Sequence, residues 1–283
     1  MNRSNRRTLV VALGVFALLA LATVASADHS WGGYHWARQS NPFTLKVGDN
    51  VNSTWDAHLD LAISDWNQST VLDLTEVPGG SNPKNCRPTA GRIEVCNSRY
   101  GNNGWLGIAQ IWLTGGHISQ AITKLNDYYF DQPQYNTFAW RQMVTCQEIA
   151  HDFGLDHQDE NFNNANLGSC MDYTNDPDGG PGGASDNDPS NVGPNQHDFS
   201  QIASIYAHLD STTTIGQSLV KPITRAPVAL HHFQQEDSPS EWGRLMRSSP
   251  NGRVQVFERD LGRGNKIITH VFWASTEDRD RDH

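Results

Sequence analysis

Apolar residues recur at the spacing of an amphipathic helix in the first third of the chain. They stand three or four positions apart, at Trp55, Leu59, Ala62, Ile63 and Trp66. This pattern predicts a core helix packed through its tryptophans, with Ser53 or Thr54 as its cap.

Runs rich in apolar and β-branched residues predict strands in two parts of the chain. In the N-terminal part they cover residues 71–77, 92–97 and 105–113. In the C-terminal part they cover residues 242–247, 253–258 and 266–274, with turns that contain Gly252 and Gly264. Residues 118–129 fit a helix or a strand.

A second helix is predicted over residues 135–153, in the middle of the chain. Asn136 or Thr137 can cap its start. Gly154 can end it, because glycine adopts the left-handed conformation at a helix C-terminus at little cost.

The first 27 residues have the parts of a secretory signal. Arginines precede an apolar run over residues 9–22, which is shorter than the roughly 20 residues that a membrane-spanning helix needs. Small residues follow it at Ala25, Ser26 and Ala27. We therefore expect a secreted, extracellular protein with no membrane partner.

The charge balance narrows the class of partner. The chain of 283 residues has 31 acidic and 21 basic side chains, a formal net charge of −10. A nucleic-acid binder needs clustered Lys and Arg to neutralise phosphates, and beyond the first seven residues no such cluster occurs. We expect a monomer that binds a peptide or protein and no nucleic acid.

Four cysteines in an exported chain favour disulfides, and they allow three connectivities. Cys86 and Cys96 have a hairpin-like spacing, so the preferred pairing leaves Cys146 with Cys170. A cysteine-ligated metal is the competing interpretation, but no CxxC pair supports it.

The second helix contains the chemistry, in the sequence QEIAHDFGLDH at residues 147–157. Gln147 and His151 are one turn apart on one helix face, with Glu148 beside them. A turn at Gly154 would bring His157 back toward the same point. Two imidazoles and a carboxylate placed in this way suit a divalent metal with a water held beside a general base.

This segment resembles the HExxHxxGxxH motif of the metzincin zinc endopeptidases, the group that includes matrixins and astacins. Glu148, His151, Gly154 and His157 are in register, and SCMDY at residues 169–173 resembles the Met-turn, with Met171 as its methionine. The resemblance implies an α+β metzincin-like zincin fold with a twisted, mostly parallel mixed sheet, an active-site helix and a small C-terminal β appendage. It also implies that residues 105–113 form the substrate-binding edge strand and that residues 194–210 contain the last helix of the domain.

One position departs from the family pattern. Gln147 replaces the first zinc-ligating histidine, and its neutral carbonyl oxygen is a poor substitute. Gln147 itself or another residue must complete the ligand set, and Tyr173 is the first candidate because Met171 and Tyr173 reproduce the Met-x-Tyr spacing of some metzincins. Asp156 and His197 are weaker candidates. The alternative is an inactive peptide- or protein-binding module that keeps the fold.

If the protein is active, the resemblance implies a secreted, zinc-dependent metalloendopeptidase. The metal would polarise the scissile carbonyl, Glu148 would act as general base, and Tyr173 could donate to the oxyanion. His151 and His157 would hold the zinc, with Gln147 as a further candidate ligand.

The Asp- and Gly-rich loop over residues 174–197 offers oxygen ligands for a second cation, calcium. These ligands would be the carboxylates of Asp176, Asp178, Asp186 and Asp188. No Glu closes an EF-hand loop after Asp176, and a solvated loop is the preferred interpretation.

The predicted organisation has five parts. A signal peptide (1–27) precedes a catalytic domain (28–210), a linker (211–226), a small β-rich segment (227–275) and a disordered tail (276–283). The remaining C-terminal histidines share no motif with the site, and we expect ordinary surface or core roles for His231, His232, His270 and His283.

Overall fold

A computed structural model describes residues 29–181, 187–216 and 237–275. The predicted signal peptide and C-terminal tail lie outside these residues. So do most of the predicted linker, Asp186, His231, His232 and His283.

The described chain contains strands and four helices around one large sheet. The strands are β1 (His35–Trp36), β2 (Phe43–Asn50), β3 (Leu72–Pro78), β4 (Ile93–Ser98), β5 (Trp105–Thr114), β6 (His117–Asn126), β7 (Arg244–Ser248), β8 (Val254–Gly262) and β9 (Asn265–Trp273). The helices are α1 (Asp56–Trp66), α2 (Asp127–Phe130), α3 (Phe138–His151) and α4 (Gln196–Ile205).

One half of the sheet is parallel. Its strands lie in the order β3, β2, β4, β6, and β1 pairs with β6 in the same direction. The ambiguous segment after residue 117 resolves into strand β6 followed by the short helix α2. Strand β2, which we did not predict, alternates buried and exposed residues over its first four positions.

The other half is antiparallel, in the order β5, β9, β8, β7. Two expectations are corrected here. The C-terminal strands are not an appendage, because they continue the main sheet. Strand β5 is not an edge strand, because β6 pairs along one side of it and β9 along the other. The sheet is therefore mixed, as expected, but only its N-terminal half is parallel.

Helices α1 and α3 pack against each other, and α3 also contacts β5 and β6. The tryptophans of α1 anchor this layer, as predicted. Trp66 is fully buried, and its Nε1 donates to the backbone oxygen of Cys146 at 3.1 Å. The predicted caps of α1 are wrong: Trp55 occupies the N-cap position and no side chain caps the helix.

Both predicted disulfides are present, Cys86–Cys96 and Cys146–Cys170. The second joins α3 to the loop that contains Met171. Helix α4 is fixed to the end of α3 by the Tyr206 hydroxyl, which donates to the backbone oxygen of Phe153 at 2.8 Å. Among the described helices, none is long and apolar enough to span a bilayer.

Candidate metal centre

Helix α3 delivers the motif to the centre of the molecule. Thr137 caps it by accepting a hydrogen bond from the Trp140 backbone N–H at 3.2 Å. Gly154 then turns the chain with φ +101°, and a Cβ there would lie 2.2 Å from the backbone oxygen of Tyr34. Only glycine fits this turn, which brings His157 back to His151 as predicted.

Two imidazoles of the motif face each other. The Nδ1 atom of His151 lies 2.7 Å from the Leu155 carbonyl oxygen, and Nδ1 of His157 lies 3.0 Å from Glu160 Oε1. These oxygens accept, so each Nδ1 carries a hydrogen and Nε2 is the nitrogen left to face the other ring. The two Nε2 atoms are 3.0 Å apart. Two lone pairs at this distance repel unless a cation or a proton lies between them.

A third imidazole comes from β9, since the structure places His270, for which the sequence predicted an ordinary surface or core role, beside the motif residues. His270 Nδ1 lies 3.3 Å from Glu148 Oε2, and its Nε2 lies 3.1 Å from the Tyr173 hydroxyl. The donor atoms of His151, His157 and His270 all fall within 4.8 Å of one another. We call these three histidines the inner cluster.

The inner cluster fits a zinc ion by its chemistry. Tetrahedral zinc with bonds of about 2.0–2.1 Å places its ligand atoms roughly 3.3 Å apart, close to the separations of the imidazole and phenol groups here. Burial lowers the pKa of His151 and of His270, so both rings are neutral, as metal ligands must be. A carbonyl or carboxylate oxygen orients each ring through Nδ1, the arrangement typical of metal-ligating histidines.

The loop that resembles a Met-turn passes beside the cluster. Met171 is fully buried, and its backbone oxygen accepts from the Gln158 N–H at 2.6 Å. Two residues later, the Tyr173 hydroxyl lies 3.0 Å from His157 Nε2. Tyr173 therefore contacts two members of the inner cluster, at the place where a further ligand would stand.

The side chain of Gln147 makes its hydrogen bond outside the inner cluster. Its side-chain Nε2 donates to the backbone oxygen of Cys170 at 2.8 Å, and its buried Oε1 has no hydrogen-bond partner. No hydrogen bond between described residues joins Gln147 to the inner cluster, so its role as a ligand stays a prediction.

The two weaker candidates lie outside the inner cluster. Asp156 Oδ1 is 3.3 Å from His157 Nδ1, on the far side of that ring from the converging Nε2 atoms. His197 stacks on His29, with His29 Nε2 3.0 Å from its Nδ1.

Glu148 is completely buried beside the cluster. Burial, and secondly the charge of Asp152, raise the pKa of Glu148 well above its usual range. Its Oε1 atom has no hydrogen-bond partner, while Oε2 faces His270. Gly107 on β5 makes room for it, since a Cβ there would lie 2.8 Å from Oε1. The carboxyl group is thus poised to hold or release a proton next to the candidate metal position.

The C-terminal strands close this site from solvent. In the β5–β9 ladder, Ala109 is paired with His270, so β9 lies along β5 where the resemblance places an extended substrate. Trp31 covers the imidazoles, with its ring centroid 5.2 Å from that of His151 and 5.9 Å from that of His270. Glu148, His151 and His270 have no exposed surface.

Ion pairs anchor the strands that cover the site, β7 to β9, to the rest of the molecule. Arg247 on β7 contacts Asp156 and also Glu160, the latter at 3.2 Å. The same two carboxylates lie beside His157 Nδ1. Asp156 and Glu160 therefore both anchor the C-terminal strands, through Arg247, and orient the candidate ligand His157.

In the acidic loop, the described residues show no converged group of three candidate ligands around Asp176, Asp178 and Asp188. Asp178 hydrogen-bonds Asp176, and burial together with this neighbour raises the pKa of Asp176. Asp186 falls outside the described residues, and calcium binding stays a prediction.

Sequence reasoning missed His270 because it belongs to no motif. One signal was present: His270 is the only ionisable residue between Lys266 and the end of β9, in a strand that is otherwise almost entirely apolar or β-branched. A lone imidazole in such a strand must meet a polar partner when the strand is buried.

Comparisons with protein-family models and with curated proteins give no match. Among solved structures, the chain is similar to high choriolytic enzyme 1, a hatching enzyme zinc-protease from Oryzias latipes (medaka fish). The identity is 14%, the TM-score is 0.34, and the match covers 61% of this chain and 94% of that one. A likeness of this size carries no argument about function, which must be inferred from the geometry of the site.

Proposed function

We propose that this chain is a metal-dependent endopeptidase and that the described conformation is its closed form. The observation that carries the proposal is the convergence of three imidazoles beside Glu148, two of them within a segment that resembles a zinc-peptidase motif. Zinc is the metal that this donor set favours.

The closed site offers four donors: His151, His157, His270 and the Tyr173 hydroxyl. Structural zinc sites use four protein ligands, whereas catalytic sites use three and leave one position open. His270 is the donor on the closing strand. If β9 separates from β5, the other three remain on the body of the molecule and the substrate strand becomes free.

Zinc bound there would supply a Lewis acid that polarises a carbonyl and lowers the pKa of a water. Glu148 would accept the proton of the attacking water and pass it to the leaving amine. Its pKa, raised by burial, favours the protonated state while β9 is docked; solvent entering on opening would lower it toward the range of a base. The Tyr173 hydroxyl would bind the metal or donate to the oxyanion, as the resemblance implies.

The experiment weakens docking without replacing any of the four donor residues. In Arg247→Glu, the ion pairs with Asp156 and Glu160 become repulsive contacts, so β7 to β9 should open more often. Arg244→Glu is the matched control, because Arg244 stands on the same strand and pairs only at 3.9 Å with Glu258 of the neighbouring strand. Both variants and the parent chain are loaded with one equivalent of zinc and assayed against a peptide library.

We expect Arg247→Glu to increase hydrolysis at least about tenfold over the parent, and Arg244→Glu to leave it unchanged. Equal hydrolysis by all three would contradict the closed-form proposal. Absence of hydrolysis in all three, with zinc bound, would contradict the peptidase assignment.

The second candidate is a metal-binding module without catalytic activity. It is favoured by one observation: β9 pairs with β5 at eight positions, along the side of β5 that does not pair with β6. Neither a substrate nor a bound peptide can therefore pair with β5 in the described conformation. Under this alternative, the inner cluster is a structural metal site, and zinc raises the melting temperature without enabling turnover.

Export remains part of the proposal. It is supported by the predicted signal and by two disulfides, which persist in oxidising compartments. A peptide or protein substrate and a monomeric state are proposed from the sequence alone.

A further inference from the structure

A second group of histidines lies around Asp210, away from the motif. It consists of His35 on β1, His117 at the start of β6, and His208 and Asp210 in the segment after α4. We call these four residues the outer cluster. We propose that the outer cluster binds a divalent transition metal, with His35, His117 and Asp210 as its principal ligands and His208 as the fourth.

The first support is the convergence of ligand atoms on one carboxylate oxygen. Asp210 Oδ1 lies 3.1 Å from His117 Nε2, 3.5 Å from His35 Nε2 and 3.7 Å from His208 Nε2. The His35 and His208 Nε2 atoms are 3.1 Å apart. Ligand atoms around tetrahedral zinc are separated by roughly 3.3 Å, so small side-chain adjustments place these atoms about one ion.

The second support is the tautomer of His35. Its Nδ1 lies 2.8 Å from the Gly33 carbonyl oxygen, which can only accept, so Nδ1 carries the hydrogen. Nε2 is then the ring nitrogen that faces the Asp210 carboxylate and the His208 ring. A metal ion bound there would be held by this nitrogen and the carboxylate together, with the ring oriented through Nδ1.

The third support is the fixed orientation of Asp210. Arg38 pairs with its other oxygen, Oδ2, through Nη1 at 2.9 Å and through the backbone N–H at 3.1 Å. The Asp210 N–H donates to the Arg38 carbonyl oxygen at 2.9 Å. The carboxylate is therefore held with Oδ1 toward the three imidazoles, as a ligand must be.

The fold itself brings the ligands together. His35 and His117 are direct neighbours in the parallel pairing of β1 with β6, so their side chains lie on the same face. His208 and Asp210 are two residues apart in a segment that bonds to Ala37 and Arg38, directly after β1. A metal here would link three chain segments far apart in sequence, and β1 follows the segment whose Trp31 covers the inner cluster. The inference does not depend on peptidase activity.

The test measures metal content of the full chain, stripped with a chelator, reloaded with zinc and dialysed against metal-free buffer. The main variant is His117→Gln, because the His117 side chain is about one-third exposed and its hydrogen-bond partner among the described residues is Asp210. Gln39→Ala is the control on the same surface, since Gln39 donates only to the Ser211 carbonyl oxygen. His151→Gln removes a donor from the inner cluster.

We expect two zinc ions per parent chain, one in His117→Gln and one in His151→Gln, and no change in Gln39→Ala. If the inner cluster binds no zinc, the parent holds one ion and His117→Gln none, so failure of the proposed function is distinguishable. His208→Gln should retain the ion but weaken its affinity about 10–100-fold.

Two further readouts do not involve activity. Cobalt in place of zinc should give a tetrahedral visible spectrum whose intensity falls by half in His117→Gln, and zinc should raise the melting temperature of His151→Gln by about 5 °C. The proposal is overturned if His117→Gln retains the parent's zinc content. It is also overturned if zinc leaves the melting temperature of His151→Gln unchanged, which would make the outer cluster a network of protonated imidazoles around a carboxylate.

Discussion

The two halves of the sheet contribute different parts of the site. The parallel half, β1 to β4 with β6, contacts α3 through β6; its strands β3 and β4 were predicted from sequence, β6 was left ambiguous, and β1 and β2 were not predicted. The antiparallel half, β5 with β7 to β9, was predicted strand by strand; its β5 also contacts α3, and its β9 supplies His270. Strands β6 and β5 therefore support the motif together, and β9 covers it from solvent.

The contacts of β9 show how firmly the halves are joined. Phe272 is fully buried, with its ring centroid 4.6 Å from that of Tyr173 and 6.3 Å from that of Trp140. Arg253 lies over the Phe162 ring at 4.2 Å. Opening exposes this aromatic surface to water, so the open form is a minor population in the isolated chain.

The largest expected effect tests the chemistry of the parallel half. Glu148→Gln, made together with Arg247→Glu, should lower peptide hydrolysis about 10²–10⁴-fold, because the amide cannot accept the water proton. Zinc content, measured by mass spectrometry, should not change. Glu241→Gln, a partly exposed residue far along the chain, is the control. Hydrolysis that survives in Glu148→Gln would remove Glu148 from the role of general base.

The next effect tests the junction between the halves. Phe272→Ala should lower the free energy of unfolding by about 3–5 kcal/mol, since it leaves a cavity beside Tyr173. Phe138→Ala, at a ring that is 57% exposed, should cost little. In Phe272→Ala, amide hydrogen exchange should accelerate more in β8 and β9 than in β2 and β4. Uniform acceleration across the sheet would mean that the halves do not open separately.

The disulfides allow a matched test of the site's support. Replacing Cys146 and Cys170 by Ala removes a link across 24 residues and should cost about 3.5 kcal/mol, whereas the Cys86–Cys96 pair across 10 residues should cost about 2.7 kcal/mol. Denaturant titration measures both losses. Only the first pair joins α3 to the Met171 loop, so only its removal should weaken zinc binding at the inner cluster. Equal weakening by both would show a general loss of stability instead.

Local patterns predicted helices α1 and α3 and the four strands of the antiparallel half, for physical reasons. The spacing of the α1 tryptophans, the Thr137 cap and Gly154 are local signals, and each corresponds to an observed feature. They placed His151 and His157 together because both lie within one helix turn and one loop. Pairing of β9 with β5 joins residues more than 150 positions apart, and no local pattern encodes such a pairing.

One signal against an edge strand was nevertheless present in β5. All but the last of its ten residues are buried, and in sequence it is a nearly continuous apolar run. Such runs are typical of strands covered on both faces in the middle of a sheet, whereas an exposed edge shows charges or alternation. The resemblance to a family with a substrate-binding edge strand outweighed this pattern and led to the wrong assignment.

The smallest expected effect is a pH dependence of stability that differs between the two edge strands of the sheet, β3 and β7. On β3, burial, a hydrogen bond to Asp60 and the charges of Asp60, Asp49 and Asp56 raise the pKa of Glu76 to about 7 from an ordinary 4.5. The folded chain therefore binds more protons than the unfolded chain between these values, and stability falls as pH rises from about 4.5 to about 7.

Glu76→Gln removes this penalty while keeping the size of the side chain. The variant should melt slightly above the parent at pH 8, and the difference should vanish below about pH 3.5, where the Glu76 carboxyl is protonated in both the folded and the unfolded chain. Asp73→Asn, on the same strand beside Thr44, controls for a general change of surface charge. β7 (Arg244–Ser248) instead contains no carboxylate, so crowding of the kind seen on β3 is not expected to add such a slope at the antiparallel edge. A pH-independent difference between Glu76→Gln and the parent would mean that crowding of carboxylates on the parallel edge does not limit its stability.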